Sequence, residues 1–185
     1  MGDALLVMDV QNGIVERLGS AAAPLLDRVA TAMDAARRHS IPVIFVRVAF
    51  REGAPEISSR NRAFSALTSA GTMSETSPAT QVHTAVAPRP DEIVVVKRRV
   101  SAFAGSDLNV VLRAASIEGL ILTGISTSGV VLSTTRQAAD LDYRITILRD
   151  ACADGDDEVH RVLMEKVLAR QATVTTSDEW ISSLG

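Results

Sequence analysis

The chain has 185 residues, of which 46% are hydrophobic and 22% are charged, and its formal net charge at pH 7 is −3. This composition is that of an ordered globular protein, and the length suits one domain, residues 1–185, with a sizeable core. The negative charge argues against a large nucleic-acid interface, and no apolar run approaches the roughly 20 residues that span a bilayer. Neither nucleic acid nor a membrane is therefore an expected partner.

The first half of the chain predicts alternating strands and helices. Residues 4–10 form an apolar run that Asp9 interrupts and that the turn residues 11–13 end, so Asp9 is placed at the carboxyl end of a first strand. Residues 24–39 carry apolar side chains at helical spacing, and residues 42–48 read as a second strand. Residues 50–80 are polar and turn-rich, with a short helix expected over 61–70. They form either a wall of a substrate pocket or a plain surface connection.

A third strand, predicted as buried, covers residues 92–96 and ends at Lys97, whose side chain could serve a site or simply extend to solvent. Ser106 or Asp107 then begins a helix, and residues 119–122 form a central buried strand that ends in a turn of small residues. Thr127 or Ser128 is expected to cap the helix that follows this turn. The last predicted elements are a strand at 144–148, a helix from Asp156 or Asp157 to Leu168, and a strand at 173–176.

This order predicts an α/β fold, a three-layer α/β/α Rossmann-like arrangement around a central, mainly parallel six-stranded sheet with right-handed crossovers. Ligands of such sheets bind beyond the carboxyl ends of the strands, near the point where the strand order reverses. Asp9, Lys97 and the turn at Ser126 all fall on that edge. They are therefore the candidate site residues.

Cys152 is the single cysteine, which excludes an intramolecular disulfide framework, and the chain begins with a predicted strand rather than a signal-peptide pattern. A cytoplasmic protein is therefore expected. His39, His83 and His160 lie away from the candidate motifs and are expected at the surface, not as ligands.

Three stretches together resemble the isochorismatase-like, or cysteine hydrolase, superfamily. They are Leu-Leu-Val-Met-Asp-Val-Gln-Asn at 5–12, Val-Val-Val-Lys-Arg-Arg-Val-Ser-Ala-Phe at 94–103, and Thr-Gly-Ile-Ser-Thr-Ser-Gly-Val-Val-Leu-Ser-Thr at 123–134. The resemblance implies a small-molecule hydrolase that uses an Asp and a Lys, matched by Asp9 and Lys97, and a nucleophilic Cys. The family Cys falls on Val130, which can neither attack a carbonyl nor carry a covalent intermediate. Gln11, Phe103, Ile125 and Ser126 fall on positions that the resemblance assigns to the substrate pocket and oxyanion site.

The replacement leaves two interpretations open. Isochorismatases proper also lack the cysteine, and the resemblance implies that such members hydrolyse a vinyl ether with the Asp as acid. Asp9 would then transfer protons while Lys97 orients it, with burial raising and Lys97 lowering the pKa of Asp9. Alternatively, the chain is a non-catalytic small-molecule-binding or assembly subunit of the same fold. Cys152 resembles a structural segment of the family, and Ser126 to Ser128 lack a neighbouring base, so none of them is expected to replace the nucleophile.

The resemblance carries further expectations. The nicotinamidase branch binds a metal through clustered histidines after the second strand, but residues 47–57 contain no histidine, so no metal and no other cofactor is predicted. Members usually assemble, which predicts a homo-oligomer. A cis peptide is expected between Ile125 and Ser126, aiming the N–H groups of Ser126 and Val130 at one point. Arg47, Arg51, Arg98 and Arg99 either favour an anionic ligand or are solvated surface charges.

Overall fold

The computed structural model describes residues 2–68 and 73–185, and its centre is a six-stranded sheet in the order β3-β2-β1-β4-β5-β6. All the paired strands are parallel, so the predicted α/β fold is confirmed. The strands are β1 (Gly2–Met8), β2 (Val43–Val48), β3 (Ile93–Lys97), β4 (Ile117–Ile125), β5 (Arg144–Ala153) and β6 (Thr173–Thr175).

Helices follow the strands and cover the two faces of the sheet. The α-helices are α1 (Asn12–Val15), α2 (Ala22–Arg38), α3 (Arg62–Thr68), α4 (Leu108–Ala114), α5 (Leu132–Asp140), α6 (Asp157–Val162) and α7 (Ser177–Ser182). Helix α6 begins at Asp156, whose carboxylate accepts hydrogen bonds from the backbone N–H groups of Glu158 and Val159, as predicted for a capping residue. The chain then continues through a π turn (Leu163–Val167) and a 3₁₀ turn (Leu168–Arg170).

The alternation of side chains along β1 divides the core into two layers. Leu5 and Val7 pack in the layer that holds α2 and Trp180 of α7. Ala4, Leu6 and Met8 point to the opposite face and pack with residues of α4 and α5. Both sets are buried, which explains why the strand reads as a nearly continuous apolar run.

Three predicted elements differ from the structure. Strand β3 was expected to be buried, but it lies at the edge of the sheet, and Ile93 and Val94 are 46% and 38% exposed. Strand β5 runs five residues beyond Leu148 because its register against β4 shifts, so that Gly124 pairs with Cys152 and Ile125 with Ala153. The helix expected over 61–70 begins one residue later, at Arg62, and is described as far as Thr68, while positions 69 and 70 lie outside the described residues.

The strand order reverses between β1 and β4, which are neighbours at the centre of the sheet. Beyond their carboxyl ends lies the crevice in which ligands of doubly wound sheets bind. Gly124 allows β4 to approach β1 here, because a Cβ atom at this position would lie 2.0 Å from the carbonyl oxygen of Met8. Across residues 2–68 and 73–185, none of the helices is long and apolar enough to cross a membrane.

Candidate active site

A cavity of about 290 Å³ opens at the carboxyl ends of β1, β3 and β4. It brings together the predicted residues Asp9, Lys97, Ile125, Ser126 and Val130. The other residues that line it are Ile14, Arg17, Leu18, Val48, Phe64, Val100, Gly129 and Gly155. Phe64 comes from α3, so the turn-rich segment after β2 contributes a wall of the cavity.

Asp9 and Lys97 form a buried ion pair inside this cavity. The Nζ atom of Lys97 lies 2.8 Å from Oδ2 of Asp9, and the two residues are 1% and 5% exposed. Lys97 ends β3, and Asp9 follows the last residue of β1 with a φ of 56°, a left-handed conformation that Asp tolerates better than most residues. This conformation ends β1 at Met8, two residues before Val10, where the predicted apolar run ends, and Asp9 is the first residue after the strand.

Burial has the largest effect on the pKa of Asp9. The pKa of its carboxyl is raised above 3.8 because loss of solvent outweighs the attraction of the Lys97 ammonium and the hydrogen bonds that lower it. Among the described residues, the second carboxyl oxygen, Oδ1, has no hydrogen-bond partner. An oxygen that is buried, unpartnered and part of a carboxyl with a raised pKa is suited to hold a transferable proton.

Lys97 is held by more than Asp9. Its Nζ atom also donates to the carbonyl oxygens of Arg99 and Val100, at 3.1 and 2.8 Å. Because an ammonium has three N–H donors, these contacts and Asp9 account for all of them. Lys97 is therefore fixed in position, and its charge faces the carboxyl.

The turn after β4 forms another wall. The peptide between Ile125 and Ser126 is cis, as predicted, and residues Thr127–Val131 form a π turn that leads into α5. Ser126, Gly129 and Val130 line the cavity. A Cβ atom on Gly129 would lie 2.7 Å from the hydroxyl oxygen of Ser126. The absence of a side chain at position 129 therefore lets the Ser126 hydroxyl lie close to the backbone of the turn.

The expected capping role of Thr127 or Ser128 is wrong, because Ser126 precedes the turn and makes no side-chain cap. The hydroxyl of Thr127 instead lies 2.7 Å from Nδ1 of His160, and the N–H of Ser128 donates to the Asp154 carboxylate at 2.6 Å. His160 is thus half-buried against the turn and not a free surface residue, so the expectation that Ser126 to Ser128 lack a neighbouring base is wrong for Thr127. Sequence spacing gave no signal for this contact, since it joins residues 33 positions apart.

Two predicted pocket residues do not line the cavity. Gln11 is buried, and its amide nitrogen donates to the carbonyl oxygens of Val48 and Thr80, while its oxygen accepts from the N–H of Val48. It therefore anchors the end of β2. Phe103 packs in the core, with its ring centroid 5.9 Å from that of Tyr143. Each of these side chains would have to break its present contacts before it could reach the cavity.

No thiol lines the cavity among the described residues. Cys152 is buried, its Sγ lies 3.9 Å from the carbonyl oxygen of Leu122, and burial raises its pKa to about 12. A thiol with this pKa has almost no thiolate at neutral pH, so it is a poor nucleophile. Within 2–68 and 73–185, no three His, Cys, Asp or Glu side chains are grouped so that they could hold a metal ion.

The fold and the cavity define a doubly wound α/β protein with a ligand site at its switch point, and comparisons with known proteins place it in a family. The isochorismatase domain profile matches residues 3–179, so the chain belongs to the isochorismatase family. It is similar to the uncharacterized isochorismatase family protein YecD of Escherichia coli O157:H7, with 30% identity over 98% of this chain and 95% of that protein.

Two further similarities extend the comparison. The ureidoacrylate amidohydrolase RutB of Stutzerimonas stutzeri is 29% identical, over 98% of this chain and 79% of RutB. The crystal structure of a cysteine hydrolase from Pseudomonas syringae pv. phaseolicola superposes with a TM-score of 0.91 at 24% identity, covering 98% of this chain and 92% of that one. The latter similarity concerns the fold alone.

Proposed function

We propose that this protein is a small-molecule hydrolase that uses Asp9 for proton transfer and has no cysteine nucleophile. The observation that carries the proposal is the buried pair of Asp9 and Lys97, which lines the same cavity as Val130. Membership of a hydrolase family supports the reaction class. Val130 takes the position that the resemblance assigns to the nucleophile, so the chemistry must proceed without a covalent enzyme intermediate at that residue.

Asp9 acts first as an acid. Its raised pKa keeps the carboxyl protonated to a higher pH than that of an exposed Asp, and the unpartnered Oδ1 atom is the oxygen from which a proton reaches a substrate. Lys97 keeps Oδ2 in place and stabilises the carboxylate that remains after the transfer. For a vinyl ether, protonation of the double bond gives an oxocarbenium ion that water attacks to form a hemiacetal or hemiketal. The hydroxyl proton of this adduct passes to the ether oxygen as the bond to that oxygen breaks, which gives a carbonyl compound and an alcohol. The carboxylate recovers its proton from the attacking water.

The turn after β4 supplies the second part of the proposed machinery. Ser126 and Val130 line the cavity, and we assign their backbone N–H groups to the oxygen on which negative charge develops if the substrate is an amide or ester. Backbone donors do not depend on the side chain at position 130. Replacement of the family cysteine therefore leaves this part of the site in place.

The second candidate is a non-catalytic binding subunit of the same fold, and the absence of a thiol from the described cavity lining favours it. The cavity, the ion pair and the cis turn would then hold a ligand without converting it. The two candidates differ in one measurable property, turnover. They share the prediction that small molecules bind beside Asp9.

A substrate screen with matched variants separates them. Vinyl ethers, amides including ureido compounds, and esters are tested with the wild-type protein, Asp9→Asn and the control Asp27→Asn, which changes an exposed carboxylate on α2. We expect Asp9→Asn to lower kcat/KM by about a hundredfold or more and Asp27→Asn to leave it unchanged. Turnover that is equal in Asp9→Asn contradicts the proposed role of Asp9. Ligand binding without turnover of any compound supports the binding subunit.

A further inference from the structure

The charges that line the cavity belong to Asp9, Arg17 and Lys97. One ammonium hydrogen of Lys97 is taken by Oδ2 of Asp9, and the remaining two are taken by the carbonyl oxygens of Arg99 and Val100. A ligand that bound Lys97 directly would have to displace one of these partners. The pair therefore contributes a polar floor but no open cationic donor.

Arg17 is different from Lys97 in this respect. It lies in the 3₁₀ segment Glu16–Ala21, its side chain is exposed, and its guanidinium makes no ion pair or hydrogen bond with any residue in the part of the chain that the structure describes. A guanidinium carries five N–H donors in a planar fork that matches a carboxylate. All of these donors are open at the mouth of the cavity.

The arginines that the sequence suggested for an anionic ligand are committed elsewhere. Arg51 pairs with Glu56, Arg98 with Glu75 and the Ala49 carbonyl oxygen, and Arg99 donates to the carbonyl oxygen of Glu56. Arg47 donates to the carbonyl oxygens of Glu75 and Thr80. None of the four lines the cavity. These four arginines are therefore not ligand-binding candidates in this cavity, and Arg17 is the arginine that lines it.

Between Arg17 and the ion pair, the wall is mostly apolar. The apolar side chains are those of Ile14, Leu18, Val48, Phe64, Val100, Ile125 and Val130. A volume of about 290 Å³ is at the small end for a ligand pocket. We propose that Arg17 binds a carboxylate of the substrate at the mouth, and that the site takes small monocarboxylates whose apolar part lies against this wall. This inference rests on the proposed function only in taking this cavity as the substrate site.

Calorimetric binding of matched carboxylate and carboxamide pairs tests the inference without any need for turnover. The probes are acetate and acetamide, crotonate and crotonamide, and benzoate and benzamide, with the wild-type protein, Arg17→Gln, Arg17→Lys and Arg38→Gln. Arg38 is an exposed arginine at the end of α2 and is not among the residues that line the cavity. Because Arg17 is exposed, its variants are expected to fold, which thermal unfolding verifies.

We expect at least one carboxylate to bind the wild-type protein about tenfold more tightly than its amide. Arg17→Gln removes that preference, Arg17→Lys restores part of it, and Arg38→Gln leaves it unchanged. The amide affinities stay within about twofold throughout, because the amides do not use the charge. A carboxylate preference that survives in Arg17→Gln, or its absence from every pair in the wild-type protein, overturns the inference.

Asp9→Asn separates this inference from the proposed function. If Asp9→Asn keeps the Arg17-dependent carboxylate preference while the wild-type protein turns over no substrate, carboxylate binding stands and catalysis does not. If Asp9→Asn abolishes turnover while Arg17→Gln changes neither binding nor KM, the proposed chemistry stands and the inference about Arg17 is wrong.

Discussion

The Nζ atom of Lys97 lies 2.8 Å from Oδ2 of Asp9, although the two residues are separated by 88 positions and belong to strands that do not pair. Strand β2 lies between β3, which ends at Lys97, and β1, which ends just before Asp9. The ion pair therefore ties the edge strand β3 to the centre of the sheet. It also leaves the buried Oδ1 atom of Asp9 without a hydrogen-bond partner among the described residues.

The first prediction concerns the stability of this pair. Lys97→Met leaves the buried Asp9 carboxyl without its counter-charge and the carbonyl oxygens of Arg99 and Val100 without their donor. We expect a loss of about 3–5 kcal/mol in the free energy of unfolding, measured with urea. In the Asp9→Asn background the loss should be clearly smaller, because the contact between the Lys97 ammonium and the Asp9 carboxyl is already lost there. Additive losses in this double-mutant cycle would show that the two side chains are not energetically coupled.

A second prediction follows from the raised pKa of Asp9. Below pH 3.8 the carboxyl is protonated in both the folded and the unfolded chain. As the pH rises above 3.8 the unfolded chain releases the proton while the folded chain retains it, so the stability contribution of Asp9 is lost as the pH passes through its folded pKa. The free energy of unfolding of the wild-type protein should therefore fall relative to that of Asp9→Asn over this range. If the free energy of unfolding of the wild-type protein instead rises relative to that of Asp9→Asn as the pH increases, the pKa of Asp9 is lowered in the folded chain.

A third prediction tests the orientation of Val130. Val130 is 2% exposed and lines the cavity, whereas its neighbour Val131 is fully buried and does not line it. In Val130→Cys a small thiol reagent such as iodoacetamide should modify the new cysteine, as measured by mass spectrometry, while Val131→Cys stays unmodified under native conditions. The wild-type protein gives the background from the buried Cys152. Equal modification of the two variants would argue against this placement of the turn.

A fourth prediction concerns assembly. The family resemblance implies a dimer or larger homo-oligomer, and exposed aliphatic side chains such as those of Ile93, Val94 and Val110 are available for contacts. Light scattering at micromolar concentration should give a mass that is a multiple of 19.6 kDa. A species of 19.6 kDa alone would exclude a stable homo-oligomer at that concentration.

The sequence predicted the parts of the site that depend on strand ends. Asp9, Lys97 and the turn at Ser126 could be placed together because parallel strands bring their carboxyl ends to one edge of the sheet. Side-chain contacts between distant elements could not be predicted this way. The contact of Thr127 with His160 and the separate roles of Gln11 and Phe103 depend on packing across the fold.

The same limit applies to β3 and Arg17. An apolar run predicts a strand, but the position of that strand at the edge of the sheet follows from topology, which periodicity does not encode. Arg17 lies in a short 3₁₀ segment without a repeating pattern, and only the folded chain shows that its side chain lines the cavity while other arginines pair with Glu56 and Glu75.

The pH dependence of kcat/KM, measured on a substrate found in the screen, tests most directly whether Asp9 is the acid. Because the protonated carboxyl is the active form, kcat/KM should fall as the pH rises through the raised pKa of Asp9. The midpoint should lie above 3.8 and coincide with the titration of the Asp9 carboxyl carbon followed by NMR, with Asp9→Asn supplying the assignment. A profile in which kcat/KM instead rises with pH over the range where Asp9 loses its proton would contradict the account.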